Sequence, residues 1–260
     1  MVEPETLTIE VNGFATRVWR AGSGPKIGFL AGYGGLPRWV PFLDALAESR
    51  TVIVPSLPGF PGGDRGHSVL DTQLDWVLAT REILEKCGLM GADLAGSSVG
   101  GSLVAEVAAI WPREVRKIAL AAPWGLFDEK EPPTDPWAQR ADAIPGLMCG
   151  DAEVWKALKA PPEGANSIEW PIEQTRANEA AARLFWPLGN TKLEKRLPLI
   201  QAPTLLLWGA KDAVMPRSYA EKFRKGIKGP TELMVIDGAG HLAEFDKPRE
   251  VAEAILRWMA

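Results

Sequence analysis

Three residue types, in one order along the chain, could together make an activated alcohol. A serine lies in Gly96-Ser97-Ser98-Val99-Gly100-Gly101, an aspartate in Trp208-Gly209-Ala210-Lys211-Asp212, and a histidine in Gly238-Ala239-Gly240-His241. A serine hydroxyl is a weak nucleophile until a base takes its proton, and the base works best when a carboxylate orients it. The small residues decide which serine is meant. A sharp strand-to-helix turn needs room two positions before and two after its tip, and Gly96 and Gly100 supply it around Ser98. Centring the turn on Ser97 would put Ala95 and the β-branched Val99 in those places. Gly101 adds room for the helix to pack on the strand. A Gly/Ser run alone also describes an ordinary loop, so the weight rests on the apolar strand before it and the helix Ser102 to Ile110 after it.

The elements that must carry these residues follow from hydrophobic patterning. Leu7–Val11 and Phe14–Trp19 alternate across Asn12-Gly13, a hairpin signal. Apolar runs at Lys26–Leu30, Thr51–Val54, Ala92–Ala95, Val115–Leu120, Thr204–Trp208 and Glu232–Ile236 read as buried strands. Helices are expected at Val40–Ser49, Leu74–Leu84 and Pro248–Met259. Such alternation predicts an α/β chain with a mainly parallel sheet covered by helices on both faces. Ser98, Asp212 and His241 each follow a strand, so all three should emerge at the carboxyl edge of that sheet.

The rhythm breaks between Trp124 and about Arg196. This stretch has no convincing strand but shows helical patterns near Asp135–Ala143, Asp151–Ala160 and Pro171–Phe185, with proline breaks at Pro132-Pro133, Pro145 and Pro161-Pro162. The expected organisation is a core of residues 1–123 and 197–260 with a helical lid at 124–196. Five of the eleven tryptophans fall in it, at Trp124, Trp137, Trp155, Trp170 and Trp186. Most should fasten the lid to the core, and one or two should line a pocket.

Composition narrows the function classes. The 260 residues are 46% hydrophobic and 24% charged, with a net charge of −4, as expected of a globular protein able to bury a full core. No basic run is long enough for nucleic acid, no apolar run approaches the ~20 residues of a membrane helix, and Met1–Glu5 lacks the apolar stretch of a signal peptide. A cytoplasmic protein is expected, a homo-oligomer being compatible with the sequence. Cys87 and Cys149 fall in different helical patterns and suggest idle thiols, and two histidines are too few for most zinc sites, so neither metal nor cofactor is expected. Between Trp124 and Trp186, eleven acidic residues face six basic ones, which disfavours a strongly anionic substrate. Any imidazole base must be His67 or His241. His67, in Gly63-Asp64-Arg65-Gly66-His67, reads as part of a polar turn, Asp237 as a turn residue, and Asp128 as an alternative acid.

With these motifs in place the sequence resembles the α/β-hydrolase superfamily, on Gly96–Gly101, Trp208–Pro216, and Gly238–His241 followed by Phe245-Asp246-Lys247-Pro248. The resemblance implies Ser98 as nucleophile, His241 as base and acid, and Asp212 as orienter. It also implies an oxyanion hole from the backbone N–H groups of Tyr33 and Val99, since Ala31-Gly32-Tyr33-Gly34-Gly35 aligns with the family's His-Gly-x-Gly-Gly loop. Ala31 and Ser56 depart from the histidine and aspartate common at those positions, so other contacts must hold the Tyr33 loop. A serine nucleophile disfavours the dehalogenase and epoxide-hydrolase branches. The first expectation is hydrolysis of a small, largely apolar carboxylic ester. Alternatives are carbon–carbon cleavage of a meta-cleavage-type dienol, weakened by Ser97 and Leu242 where that branch has Asn and Trp, and a ligand receptor that keeps the fold with little turnover.

Overall fold

A computed structural model describes residues 2–161 and 164–260. The chain opens with β1 (Glu5–Val11) and β2 (Phe14–Ala21), then runs β3 (Lys26–Leu30), α1 (Pro41–Ala47), β4 (Thr51–Pro55), α2 (Gln73–Lys86), β5 (Asp93–Ser97), α3 (Ser98–Ile110) and β6 (Ile118–Ala121). After α4 (Ile144–Met148), α5 (Ala152–Lys159) and α6 (Glu169–Phe185) come β7 (Thr204–Gly209), α7 (Ser218–Gly226), β8 (Thr231–Ile236), α8 (Ala243–Asp246) and α9 (Pro248–Met259).

The eight strands form one sheet in the order β1-β2-β4-β3-β5-β6-β7-β8. The first two are antiparallel to their neighbours and the rest are parallel. Asn12 and Gly13 turn the opening hairpin with φ of 50° and 81°, the two positive values that match the twist of paired strands. β4, β5, β6 and β7 are buried along their whole length, as parallel strands under two helix layers must be. α1 packs against α9, and α2 against α3, whose residues are buried from Ser98 to Ala109.

From β3 the chain steps outward to β4 and then crosses back to β5 on the other side of β3. The loops leaving β3 and β5 therefore diverge at the point where the strand order reverses, which opens a crevice at the carboxyl edge. They are the Ala31–Gly35 loop and the turn at Ser98.

Among the described residues between β6 and β7 there is no strand of the sheet. The helix expected over Asp135–Ala143 is absent. Asp135 accepts hydrogen bonds from the Trp137 and Ala138 N–H groups and starts only a short turn at Pro136–Ala138, and the helix begins later, at Ile144. The other two expected helices are α5 and α6. Pro162, the second residue of the expected Pro161-Pro162 break, lies outside the described residues. No helix of the described residues is long and apolar enough to cross a membrane.

Candidate active site

Ser98 sits at the first position of α3 with φ of 49°, a left-handed value that a non-glycine residue adopts only when its surroundings force it. The glycines around it have the role their spacing suggests. A Cβ on Gly100 would lie 2.2 Å from the Leu30 carbonyl oxygen, and one on Gly96 would lie 2.7 Å from the Gly100 carbonyl. At Gly101 it would come within 3.0 Å of the Gly96 oxygen, so here too the helix could not approach the strand so closely.

β7 ends at Gly209 and delivers Asp212 three residues later; β8 ends at Ile236 and delivers His241 through the turn at Asp237-Gly238. The three side chains meet. His241 Nε2 lies 2.8 Å from Ser98 Oγ, and His241 Nδ1 lies 3.1 Å from Asp212 Oδ1 and 3.0 Å from Oδ2. The Val214 and Met215 N–H groups, each at 2.9 Å, fix the carboxylate by donating to Oδ1. Trp124 adds a contact that sequence reasoning missed, its indole Nε1–H donating to the same His241 Nε2 at 3.1 Å. An indole N–H only donates, so Nε2 is bare here and the imidazole proton is on Nδ1, facing Asp212.

Ser98 and His241 are fully buried and Trp124 is 2% exposed, so this arrangement is closed to water. The aromatic rings of Trp137 and Phe185 meet Trp124 edge-on at 5.5 and 5.2 Å, and those of Trp137 and Trp155 lie 5.8 and 6.2 Å from Tyr33. Three of the five clustered tryptophans thus surround the crevice, while Trp186 is exposed.

Tyr33 lies in the loop after β3, and among the described residues its backbone N–H reaches no acceptor. Val99 is the second residue of α3, in the first turn where helical N–H groups lack intrahelical acceptors. Burial and nearby Asp135 raise the Tyr33 phenol to about 12. It stays protonated and bonds to Asn178 Oδ1 on α6.

With alanine at position 31, the loop is held by other groups. Lys159 Nζ, from α5, donates to Gly34 O at 2.7 Å and to Gly35 O at 3.2 Å, and burial lowers its ammonium to about 7. Arg17 Nη2 donates to Leu36 O and Pro61 O, both at 2.9 Å. Ser56, where an aspartate is common, donates to Pro61 O at 2.7 Å. Behind Ser98, Ser97 Oγ donates to Glu244 Oε1 at 2.5 Å.

The rivals lie elsewhere. His67 is buried beside Glu179 of α6, with Nε2 at 3.6 Å from its carboxylate and Nδ1 without a partner, and burial lowers its basicity. Asp128 pairs with Lys222, and Asp237 is in the turn before His241. Cys87 and Cys149 are free thiols, and no cluster of metal-binding side chains occurs among the described residues.

A family model described as the alpha/beta hydrolase fold matches residues 28–248. Among curated relatives, the dihydrolipoyllysine-residue acetyltransferase component of an acetoin cleaving system from Pseudomonas putida is 28% identical over 98% of this chain and 70% of its own length. A 2-hydroxy-6-oxo-2,4-heptadienoate hydrolase of Pseudomonas putida is 25% identical over 91% of this chain and 90% of its own. Among solved structures, a bacterial membrane phospholipase A shares the fold with a TM-score of 0.79 at 23% identity, over 98% of this chain and 85% of that one.

Proposed function

We propose that this chain, which belongs to the α/β-hydrolase fold family, is a serine hydrolase that cleaves a small, largely apolar carboxylic ester through an acyl-enzyme. The observation that carries this reading is the unbroken run of hydrogen bonds from Ser98 Oγ through His241 to Asp212 in a buried crevice. Ser98 Oγ attacks the ester carbon as its proton passes to His241 Nε2, and the carbonyl electron pair becomes an oxyanion held by the Tyr33 and Val99 N–H groups. As the carbonyl re-forms, the carbon–oxygen bond to the alcohol breaks, and His241 returns the proton to the departing oxygen. Water then repeats the sequence on the acyl-enzyme. Asp212 keeps the imidazole in the working tautomer and stabilises the imidazolium.

Residues 124–196 act as a lid in this reading, with Trp124, Trp137 and Phe185 favouring apolar or flat acyl groups over charged ones. The protein works in the cytoplasm, where its two unpaired thiols stay reduced.

One relative favours a second reading. The 2-hydroxy-6-oxo-2,4-heptadienoate hydrolase matches nearly the whole chain, which supports carbon–carbon cleavage of a dienol ketone by the same residues. Ser97 and Leu242, where the meta-cleavage branch has Asn and Trp, weigh against it. A panel of p-nitrophenyl esters of graded acyl length, run beside a meta-cleavage dienol, separates the two. Ester turnover alone supports the first reading and dienol turnover the second. Turnover of neither would overturn both and leave a binding role.

A further inference from the structure

Two hydrogen bonds meet at His241 Nε2, and only one of them survives the step assigned to that atom. An imidazole nitrogen has a single in-plane lone pair, here approached by Ser98 Oγ at 2.8 Å and by Trp124 Nε1 at 3.1 Å. The indole bond exists only while Nε2 is bare. When Ser98 Oγ bonds to the ester carbon, its proton moves to Nε2 and the carbonyl pair moves to oxygen. The new Nε2–H then faces the indole N–H with no acceptor between them. The next step sends that proton to the leaving oxygen, which keeps the electron pair of the breaking carbon–oxygen bond. To receive it, the oxygen must come within about 3 Å of Nε2, where the Trp124 N–H now lies.

We propose that Trp124 is a positioning residue and gate. Its indole holds His241 bare at Nε2 in the resting enzyme, and it must move off that atom before Nε2 can take the Ser98 proton and pass it to the leaving oxygen. This rests on the reading of Ser98 and His241 as nucleophile and base. The closed crevice fits a resting state, since Ser98 and His241 have no exposed surface. The flanking backbone is irregular, with left-handed residues on both sides of the ring, Ala122 at φ of 41° and Gly125 at 112°. Trp137 and Phe185 pack on the indole from the inserted segment, so that segment sets where the ring can go.

The test uses a p-nitrophenyl alkylphosphonate. Ser98 Oγ forms a bond to phosphorus and p-nitrophenolate leaves with the pair of the broken phosphorus–oxygen bond, so one turnover is read as colour. Trp124→Phe keeps a ring in place but removes the competing donor, and should label ~3- to 10-fold faster, the scale of one neutral hydrogen bond. In wild-type protein carrying 15N-labelled histidine and tryptophan, the indole N–H with a cross-peak to the His241 ring should shift when Ser98 is phosphonylated. A folded Trp124→Phe protein that labels no faster, or an indole resonance that stays in place, overturns the gate. If Trp124→Phe does not fold, the wild-type resonance decides alone. Failure of Ser98 to label in either protein would overturn the nucleophile assignment, and the gate with it.

Discussion

Replacing Glu244 by glutamine should make the protein more stable at alkaline pH and leave it nearly unchanged at acid pH. The Glu244 side chain is buried, Oε1 accepts from Ser97 Oγ, and Oε2 is buried without a partner. Burial raises the carboxyl from 4.5 to about 7, outweighing the Ser97 hydrogen bond that lowers it. Because the folded value lies above the unfolded one, the stabilisation of the protonated form is fully present below about 4.5 and is lost as pH rises through about 7. At ~1.4 kcal/mol per factor of ten in acidity, the loss is on the order of 3 kcal/mol, an upper figure because a relaxed loop or an admitted water would reduce it. Glutamine keeps the shape and an acceptor for Ser97 but never ionises. Urea unfolding of both proteins at about pH 5 and pH 9 measures the difference directly, and the gap in favour of Glu244→Gln should open only at the higher pH. A gap of equal size at both would mean that Glu244 is charged in the folded protein throughout, and the reasoning from burial would be wrong.

Ser98→Ala should lower ester turnover by ~10⁴-fold or more without changing the melting transition, while Ser97→Ala retains most activity; equal losses would mean that the elbow has been centred on the wrong serine. Asp212→Asn should cost up to ~10⁴-fold in kcat, because the amide favours the wrong imidazole tautomer, and a loss below roughly tenfold would remove Asp212 from the mechanism. Lys159→Met should lower kcat by ~10- to 100-fold with a smaller change in KM, because the loop carrying the Tyr33 N–H loses the donor to Gly34 O and Gly35 O. Lys159→Arg should recover part of that loss, and kcat within about twofold of wild type in Lys159→Met would show that the loop holds itself.

The strands, their mainly parallel sheet and the meeting of Ser98, Asp212 and His241 were legible because each rests on a local rule. Apolar runs mark buried strands, glycines mark the turn that cannot bear a side chain, and residues just past parallel strands share one edge. The contacts around the site depend on distant packing instead. Nothing near Lys159 in the sequence points to Gly34, 125 residues away. The only hint was negative, in that Ala31 left the loop without its usual support. Trp124 did carry a signal, since it lies three residues past the end of β6 and so near the carboxyl edge, but the sequence does not tell whether its ring turns to His241 or to the inserted segment. The helix expected over Asp135–Ala143 does not form for a local reason: the Asp135 side chain caps a short turn that Gln139 leaves extended.

The inserted segment is bonded to every loop that carries a site residue, which argues against treating it as a separable lid. Arg196 grips Glu106 of α3, the helix that Ser98 begins, through two bonds of 2.6 Å. Met148 O accepts from the Leu242 N–H beside His241, and the Gly150 and Asp151 N–H groups both donate to Asp246, five residues past His241. Thr134 donates to Val214 O next to Asp212, and Lys159 and Asn178 hold the Tyr33 loop. A rigid swing of the whole segment would break all of these bonds together, each worth ~0.5–1.5 kcal/mol net. Rotation of one indole breaks a single neutral bond and shifts its edge-on packing against Trp137 and Phe185. Access to Ser98 by movement of Trp124 within a fixed frame is therefore the less costly route, and it leaves the Tyr33 loop and His241 in register.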